Sequence, residues 1–286
     1  MKKFVCLLLI AALALGLCGC SFSFSFSSSA RYEKANQYSV GSFTYDPAQI
    51  DAVEIHWQSG NLYLREAAGN ALAVTEKDEG YSEDQQMRWL LDGRTLKIQF
   101  CKSGYSGSFT GEKRLDVEIP ANIDLSVEQS SGDLSMGEHT LKALKAAHTS
   151  GNMRIGNSHA DTLQIAATSG NLDAGLLDVK GDFDLAATSG NSTVEAVKAQ
   201  RVKAAATSGN ISLGLYQCGG VEIACTSGNV RLVIPRENGA AIDFATSSGD
   251  LNGRDVEHKK ATLTVGDGAC PVKVATTSGN LTVEEK

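Results

Sequence analysis

Proline and aromatic residues are scarce. The 286-residue chain has 4 Pro and 2 Trp, and only 6% of its residues are aromatic, against 29 Gly and 42% hydrophobic residues. So few prolines leave long stretches free to pair as strands, and so few rings leave little bulk for a wide core. The composition therefore fits a β-rich repeat chain with a thin core of small side chains. Positive charge is also in short supply, with 26 Lys and Arg against 33 Asp and Glu and a net charge of -7. With no basic face, binding to a phosphate backbone has little electrostatic support, and no nucleic-acid partner is expected. The chain carries no Gly-x-Ser-x-Gly, no His-Glu-x-x-His, no phosphate loop and no dinucleotide fingerprint. The calcium-binding glycine-aspartate nonapeptide is missing too, which argues against a calcium-dependent roll, and no cofactor is expected.

What is present is a repeat. Thr168-Ser169-Gly170-Asn171 returns, with the same four residues, at Thr149 to Asn152, Thr188 to Asn191, Thr207 to Asn210, Thr226 to Asn229 and Thr277 to Asn280. A nearly constant period of 19 to 20 residues, read from the glycine positions, marks stacked units that bury their apolar faces only against their neighbours. Alternation names the inward slots of each unit. Leu163, Ile165 and Ala167 lead into one turn, and Leu172 and Ala174 leave it. Phe183, Leu185 and Ala187, then Val202, Ala204 and Ala206, then Val221, Ile223 and Cys225 fill the same slots before later turns. The slot just before the turn is small, and His148 is the misfit there. Outward positions carry Gln164, Asp184, Lys203, Glu222 and Asp243.

Glycine takes a positive φ without steric cost and asparagine tolerates a left-handed backbone, so Ser-Gly-Asn suits a tight corner. Stacked one sheet spacing apart, Gly151 and Asn152, Gly170 and Asn171, Gly190 and Asn191, Gly209 and Asn210, and Gly228 and Asn229 form a structural turn ladder in which the amides can bond to one another. The fold expected is all-β: a right-handed parallel β-solenoid of 19 to 20 residues per coil, its hand set by the crossover rule.

Three regions are expected. Residues 1–19 read as an export signal, with Lys2 and Lys3 before an apolar run from Phe4 to Leu15 that is short of the roughly 20 residues a comfortable membrane span needs. Leu17-Cys18-Gly19-Cys20 resembles the lipobox of bacterial lipoproteins, with Cys20 as the lipidated residue. That implies palmitate-like acyl chains holding the protein on the membrane outside the cytoplasm. Residues 20–44, which open with alternating Ser and Phe, read as a tether. Residues 45–286 form the repeat domain, irregular over 45–116 and regular over 117–286. In the irregular part, Val53 to Leu64 is a first, isolated copy of the repeat. Lys77 to Arg88 and Lys102 to Lys113 read as exposed loops, the best placed for recognition. A long glycine gap from Gly249 to Gly279 predicts an insertion or an extra turn near Gly253 to Asp267.

The Val-x-Ile-Pro passage at Val117 to Pro120, the repeated Ser-Gly-Asn/Asp turns and the leader together resemble the bacterial β-strand-repeat domains of unknown function grouped as "putative adhesins". That resemblance implies a surface-exposed parallel solenoid over about residues 45 to 286, and no particular activity.

The function expected is that of a cell-envelope lipoprotein acting as a binding, adhesin-like or scaffolding module. Its partners would be the membrane, through Cys20, and an envelope protein or glycan. Two alternatives stand beside it: a polysaccharide-acting β-helix enzyme, for which outward Asp173, Asp184 and Glu195 are the carboxylates to test, and an envelope-stress accessory protein. His139 and His159, one period apart and near Asp161, are the candidate metal ligands, although surface histidines account for the spacing equally well. The threonine file is single and lacks the paired column of ice-binding solenoids. Cys101, Cys218, Cys225 and Cys270 allow two disulfides outside the cytoplasm, and Cys225 sits in an inward slot that suits a buried free thiol.

Overall fold

A computed structural model describes residues 31–69, 71–77, 80–109, 113–256 and 259–286. The expected leader, Cys20 and the phenylalanines of the Ser/Phe segment lie outside these residues. The described chain is all-β, with short 3-10 turns such as Ala35–Gln37 and no α-helix. None of its helices is long and apolar enough to cross a membrane. It divides into two compact units, 161–286 and the part that ends at Ala160.

In unit 161–286, each coil contributes one strand to each of two sheets. Thr162–Ser169, Asp182–Ser189, Arg201–Ser208 and Val221–Ser227 lie side by side in the first, and Leu172–Val179, Ser192–Ala199, Ile211–Cys218 and Val230–Ile234 in the second. Every pair is parallel, and Leu163, Phe183, Val202 and Val221 stand in line at steps of 20, 19 and 19 residues. The expected parallel stack of 19- to 20-residue coils is therefore present. The inward slots predicted from alternation, Leu163 and Ile165 through Val221 and Ile223, are buried.

Beyond Val221 the stack stops following chain order. Val221 pairs with Val272, and Cys270–Ser278 lies between Val221–Ser227 and Ala240–Ser248. In the second sheet Leu281–Glu285 likewise lies between Val230–Ile234 and Asp250–Leu251. Lys260–Val265 and Arg254–Asp255 then close the two sheets antiparallel. The insertion expected near Gly253 to Asp267 is therefore an end cap, and the coil slipped into the stack is the last one in sequence. Lys260 and alternating exposed threonines on the outermost strand are the kind of polar edge that discourages pairing with another chain.

The unit ending at Ala160 uses the same device. Ala52–Trp57 pairs in parallel with Asp124–Ser131 on one side and Thr95–Gln99 on the other. Asn61–Glu66 lies between Leu134–Met136 and Arg114–Ile119. The first copy of the repeat is thus not isolated. The strands Leu72–Lys77, Arg88–Asp92, Thr95–Gln99 and Arg114–Ile119 lie on its outward side, and the chain returns at Asp124 to stack on its other face.

The described end of the segment expected as a tether, 20–44, is paired into the sheets. Ser39–Val40 pairs antiparallel with Arg88–Asp92, and Phe43–Tyr45 with Leu72–Lys77. Stacking of Phe43 on Trp89 at 4.1 Å fixes it there. The loops also differ from expectation, since Tyr81, Met87, Arg88 and Lys113 are buried.

Candidate functional site

The repeated corners were the strongest signal in the sequence, and their geometry is that of a scaffold. Gly190 has φ 101°, and a Cβ added to it would stand 1.9 Å from the Gly170 carbonyl oxygen of the adjacent coil. Only glycine fits that approach. The asparagine ladder runs from side chain to backbone. Asn171 Oδ1 accepts from Asn191 N–H at 3.1 Å, Asn210 Oδ1 from Asn229 N–H at 2.9 Å, and Asn229 Oδ1 from Asn280 N–H at 3.0 Å. A direct amide contact of the kind expected occurs between Asn210 and Asn191, at 2.9 Å. In the other unit Asp133 takes the asparagine's place, accepting from Asn152 N–H at 2.9 Å. Gly151 continues that unit's glycine column over Gly132. Beside the ladder, Thr168, Ser169, Thr188, Ser189, Thr207 and Ser208 form an exposed hydroxyl row.

The small slot just inside each corner takes a polar side chain where that side chain can serve a glycine carbonyl. Gln129 Nε2 donates to Gly60 O at 2.7 Å, and Thr276 Oγ1 to Gly279 O at 2.9 Å. His148 stands opposite Gln129, with its Nε2 2.8 Å from Gly132 O. The misfit histidine is therefore a buried donor to the corner, and burial pushes its pKa below the ordinary value. Cys225 does the same with its thiol, 3.6 Å from Gly209 O and 3.5 Å from Gly228 O.

The candidate metal and catalytic residues do not converge. His139 is buried with Nδ1 3.0 Å from Gly137 O, His159 is exposed, and Asp161 pairs with Lys180 at 2.8 Å. Among the described residues no group of three His, Cys, Asp or Glu side chains is placed to hold a metal. Asp184 lies in the first sheet of its unit, whereas Asp173 and Glu195 lie in the second.

Lys113 gives the second loop a core. Its ammonium donates to Gln85 O and Phe100 O, both at 2.6 Å, and meets Glu76 Oε1 at 2.5 Å. It also lies 4.2 Å from the Phe100 ring centroid and 5.1 Å from that of Trp57. Burial lowers its pKa and Glu76 opposes the shift. The other oxygen of Glu76 accepts from Met87 N–H at 2.9 Å. Charge and glycine content make the segment read as a solvated loop, and nothing local in the sequence marks Lys113 as having a buried acceptor set.

Beside this plug is a shallow recess, open to solvent and with enclosed room for about one water molecule, lined by Tyr32, Gln58, Gln99, Phe100, Cys101, Lys102 and Tyr105. Tyr32 is fixed by donating its hydroxyl to Cys101 O at 2.9 Å, and burial pushes its pKa up to about 12, so the phenol stays neutral. Tyr38 packs at 4.6 Å from Tyr32 and hydrogen-bonds to Gln99. Gln99 stands opposite His56, which stands opposite Glu128. His56 Nδ1 lies 3.0 Å from Glu128 Oε2, and this hydrogen bond is the main influence holding the Glu128 carboxyl below its usual value. Aromatic rings beside amide side chains that both donate and accept suit a small ligand rich in hydroxyls. The loop from Lys102 that the sequence marked for recognition supplies part of this recess; Tyr32, from the expected tether, was missed.

The profile of the Toastrack DUF4097 family matches residues 50–284. Among solved structures, the chain is similar to a "putative adhesin" from Parabacteroides distasonis ATCC 8503, with 14% identity, 87% of this chain and 97% of that chain covered, and a TM-score of 0.48. A second "putative adhesin", from Bacteroides fragilis NCTC 9343, has 11% identity over 86% and 97% of the two chains and a TM-score of 0.45. A "putative cell adhesion protein" from Clostridium sporogenes ATCC 15579 has 10% identity over 87% and 100%, with a TM-score of 0.30. No curated protein matches the sequence.

Proposed function

The chain belongs to the Toastrack DUF4097 family, and from its own surface we propose that it is a glycan-binding module of the bacterial envelope, tethered outside the cytoplasm through a lipidated Cys20. The recess of Tyr32, Gln58, Gln99 and Tyr105 beside the His56–Glu128 pair carries this reading. Its rings offer flat apolar faces to a sugar, and its amides match hydroxyl groups that both donate and accept. A stack locked by corner glycines supplies rigidity, which limits the ordering cost of binding. The anchor reading rests on Gly19-Cys20 behind a short apolar run. An acyl chain contributes about 0.8 kcal/mol per buried methylene, so two or three chains hold a protein firmly.

Full-length protein in detergent, tested against isolated cell-wall glycan and a glycan array, is expected to bind, and Tyr105→Ala and Gln99→Ala are expected to weaken binding at least about tenfold, a loss of roughly 1.4 kcal/mol. Unchanged binding in both variants would remove the recess from the account, and retention of a protein partner alone would replace glycan with protein. Labelling with an acyl-chain analogue is expected in the wild type and lost in Cys20→Ala. Labelling of the variant at the wild-type level would end the lipoprotein reading.

A further inference from the structure

Four cysteines are described in the chain, all as free thiols. Two of them share a corner. Cys218 ends the strand Ile211–Cys218, three residues before Val221, and Cys270 begins Cys270–Ser278, two residues before Val272. Val221 and Val272 are partners in the parallel pair, and a Cβ on Gly220 would stand 3.9 Å from Pro271 Cγ, so the pairing continues back toward both cysteines. Cys218 stands opposite Ala199, a buried position, and Cys270 is itself buried, so both belong to the inner side of that corner. The other two cysteines are placed elsewhere. Cys225 pairs with Thr276, six residues along the strand from Cys270, which is about 20 Å at the rise of a β-strand. Bridging needs Cα atoms within about 7 Å. Cys101 belongs to the other unit.

We propose that Cys218 and Cys270 form a disulfide that staples the last coil of the sequence into the interior of the stack. The coil that starts at Cys270 reaches its place out of chain order, between Val221–Ser227 and Ala240–Ser248. A bond from its first residue to the corner of the preceding coils fixes the step at which order changes. In the bond-forming step the two thiols lose two protons and two electrons to a disulfide oxidant, which leaves as two thiols. One cysteine thiolate attacks the oxidant to give a mixed disulfide, and the second then displaces the oxidant's remaining thiolate. The sulfurs now make weak contacts, Cys218 with Val197 O at 3.5 Å and Cys270 with Pro271 O at 3.9 Å, which the bond would replace. Burial, and next the nearby Cys270, push the Cys218 thiol up to about 12, so the reaction is slow at neutral pH and accelerates as pH rises.

The test is incubation of reduced full-length protein with oxidised glutathione, followed by alkylation and peptide mapping. A cross-linked peptide joining Cys218 to Cys270 is expected, with Cys101 and Cys225 alkylated. Its formation should raise the melting temperature by about 5 °C or more, and Cys270→Ser or Cys218→Ser should show no such rise on oxidation. Two separately glutathionylated cysteines, or a link to Cys225, would overturn the proposal even if either serine variant failed to fold. Occurrence of the bond in cells rests on the extracytoplasmic location proposed above. Protein trapped by alkylation at lysis is expected to carry it. A reduced pair in cells, with the bond forming readily in the tube, counts against the location and leaves the cross-link standing.

Discussion

At the scale of single residues, the buried polar groups carry the sharpest consequences. Burial holds His148 neutral in the folded chain, with its pKa below the ordinary 6.5. The unfolded chain takes up a proton at about 6.5. The stability that His148 supports is therefore complete above that value and is lost as pH falls toward the folded pKa. His139 shifts in the same direction for the same reason. The midpoint of urea denaturation is thus expected to fall between pH 7 and pH 5. Gln129 fills the matching slot of the paired coil and bonds to Gly60 O. His148→Gln should accordingly stay within about 1 kcal/mol of wild type at pH 7 and show a shallower loss at pH 5. An equal pH slope in the two proteins would remove His148 as a source of the effect. Lys113→Met leaves Glu76 buried without its cation and two carbonyls without their donor. The expected cost is about 3–5 kcal/mol by chemical denaturation, and a cost under about 1 kcal/mol would mean the pair is solvated. Neither role was legible in sequence. Alternation marked His148 as out of place, but its acceptor, Gly132 O, is 16 residues away and is brought near only by the corner.

At the scale of the element, the repeat was legible because its demand is steric and local. A glycine with positive φ beneath another glycine's carbonyl recurs once per coil, so the period of the stack is written in the chain. Gly209 has φ 139°, and a Cβ added there would stand 1.9 Å from Gly190 O. Gly209→Ala should therefore cost at least about 2 kcal/mol. Asn210→Ala loses the acceptor for Asn229 N–H and the amide contact to Asn191, and should cost about 1 kcal/mol. Thermal melts of both variants check the ranking, and an asparagine variant hurt more than the glycine variant would reverse the roles given to them. The form of the ladder was less legible. Whether an amide meets its neighbour's amide or its neighbour's backbone N–H depends on a side-chain rotation, which the period does not encode.

At the scale of the whole molecule, the order of coils was the part that sequence could not supply. Val272-Lys273-Val274 carries the same alternation as Val221-Glu222-Ile223, and Val230-Arg231-Leu232 the same as Leu281-Thr282-Val283. Inner and outer coils therefore look alike to any reading by pattern, and only the pairing tells them apart. The distinction has a direct consequence. If the last residues formed the outermost coil, removing them would cost little. In the stack they are interior: Cys270–Ser278 pairs on both sides, with Val221–Ser227 and Ala240–Ser248. A chain ending at Ala269 should thus lose the coil at Ala240–Ser248 as well, because its parallel partner is gone, and should show a lowered melting temperature and protease cleavage between Arg236 and Lys260. Replacing residues 236–269 with a short turn should have the opposite outcome. Ile234 already pairs with Glu285 in the second sheet, Arg236 N–H bonds to Lys286 O, and the turn from Cys218 to Val221 crosses an equivalent corner in two residues. The shortened chain joins two coils that are neighbours in space, and it should melt cooperatively above the chain cut at Ala269 although it lacks twice as many residues. Melting of the two chains in the reverse order would mean that the last coil does not hold the interior position, and the stack would have to be redrawn in chain order.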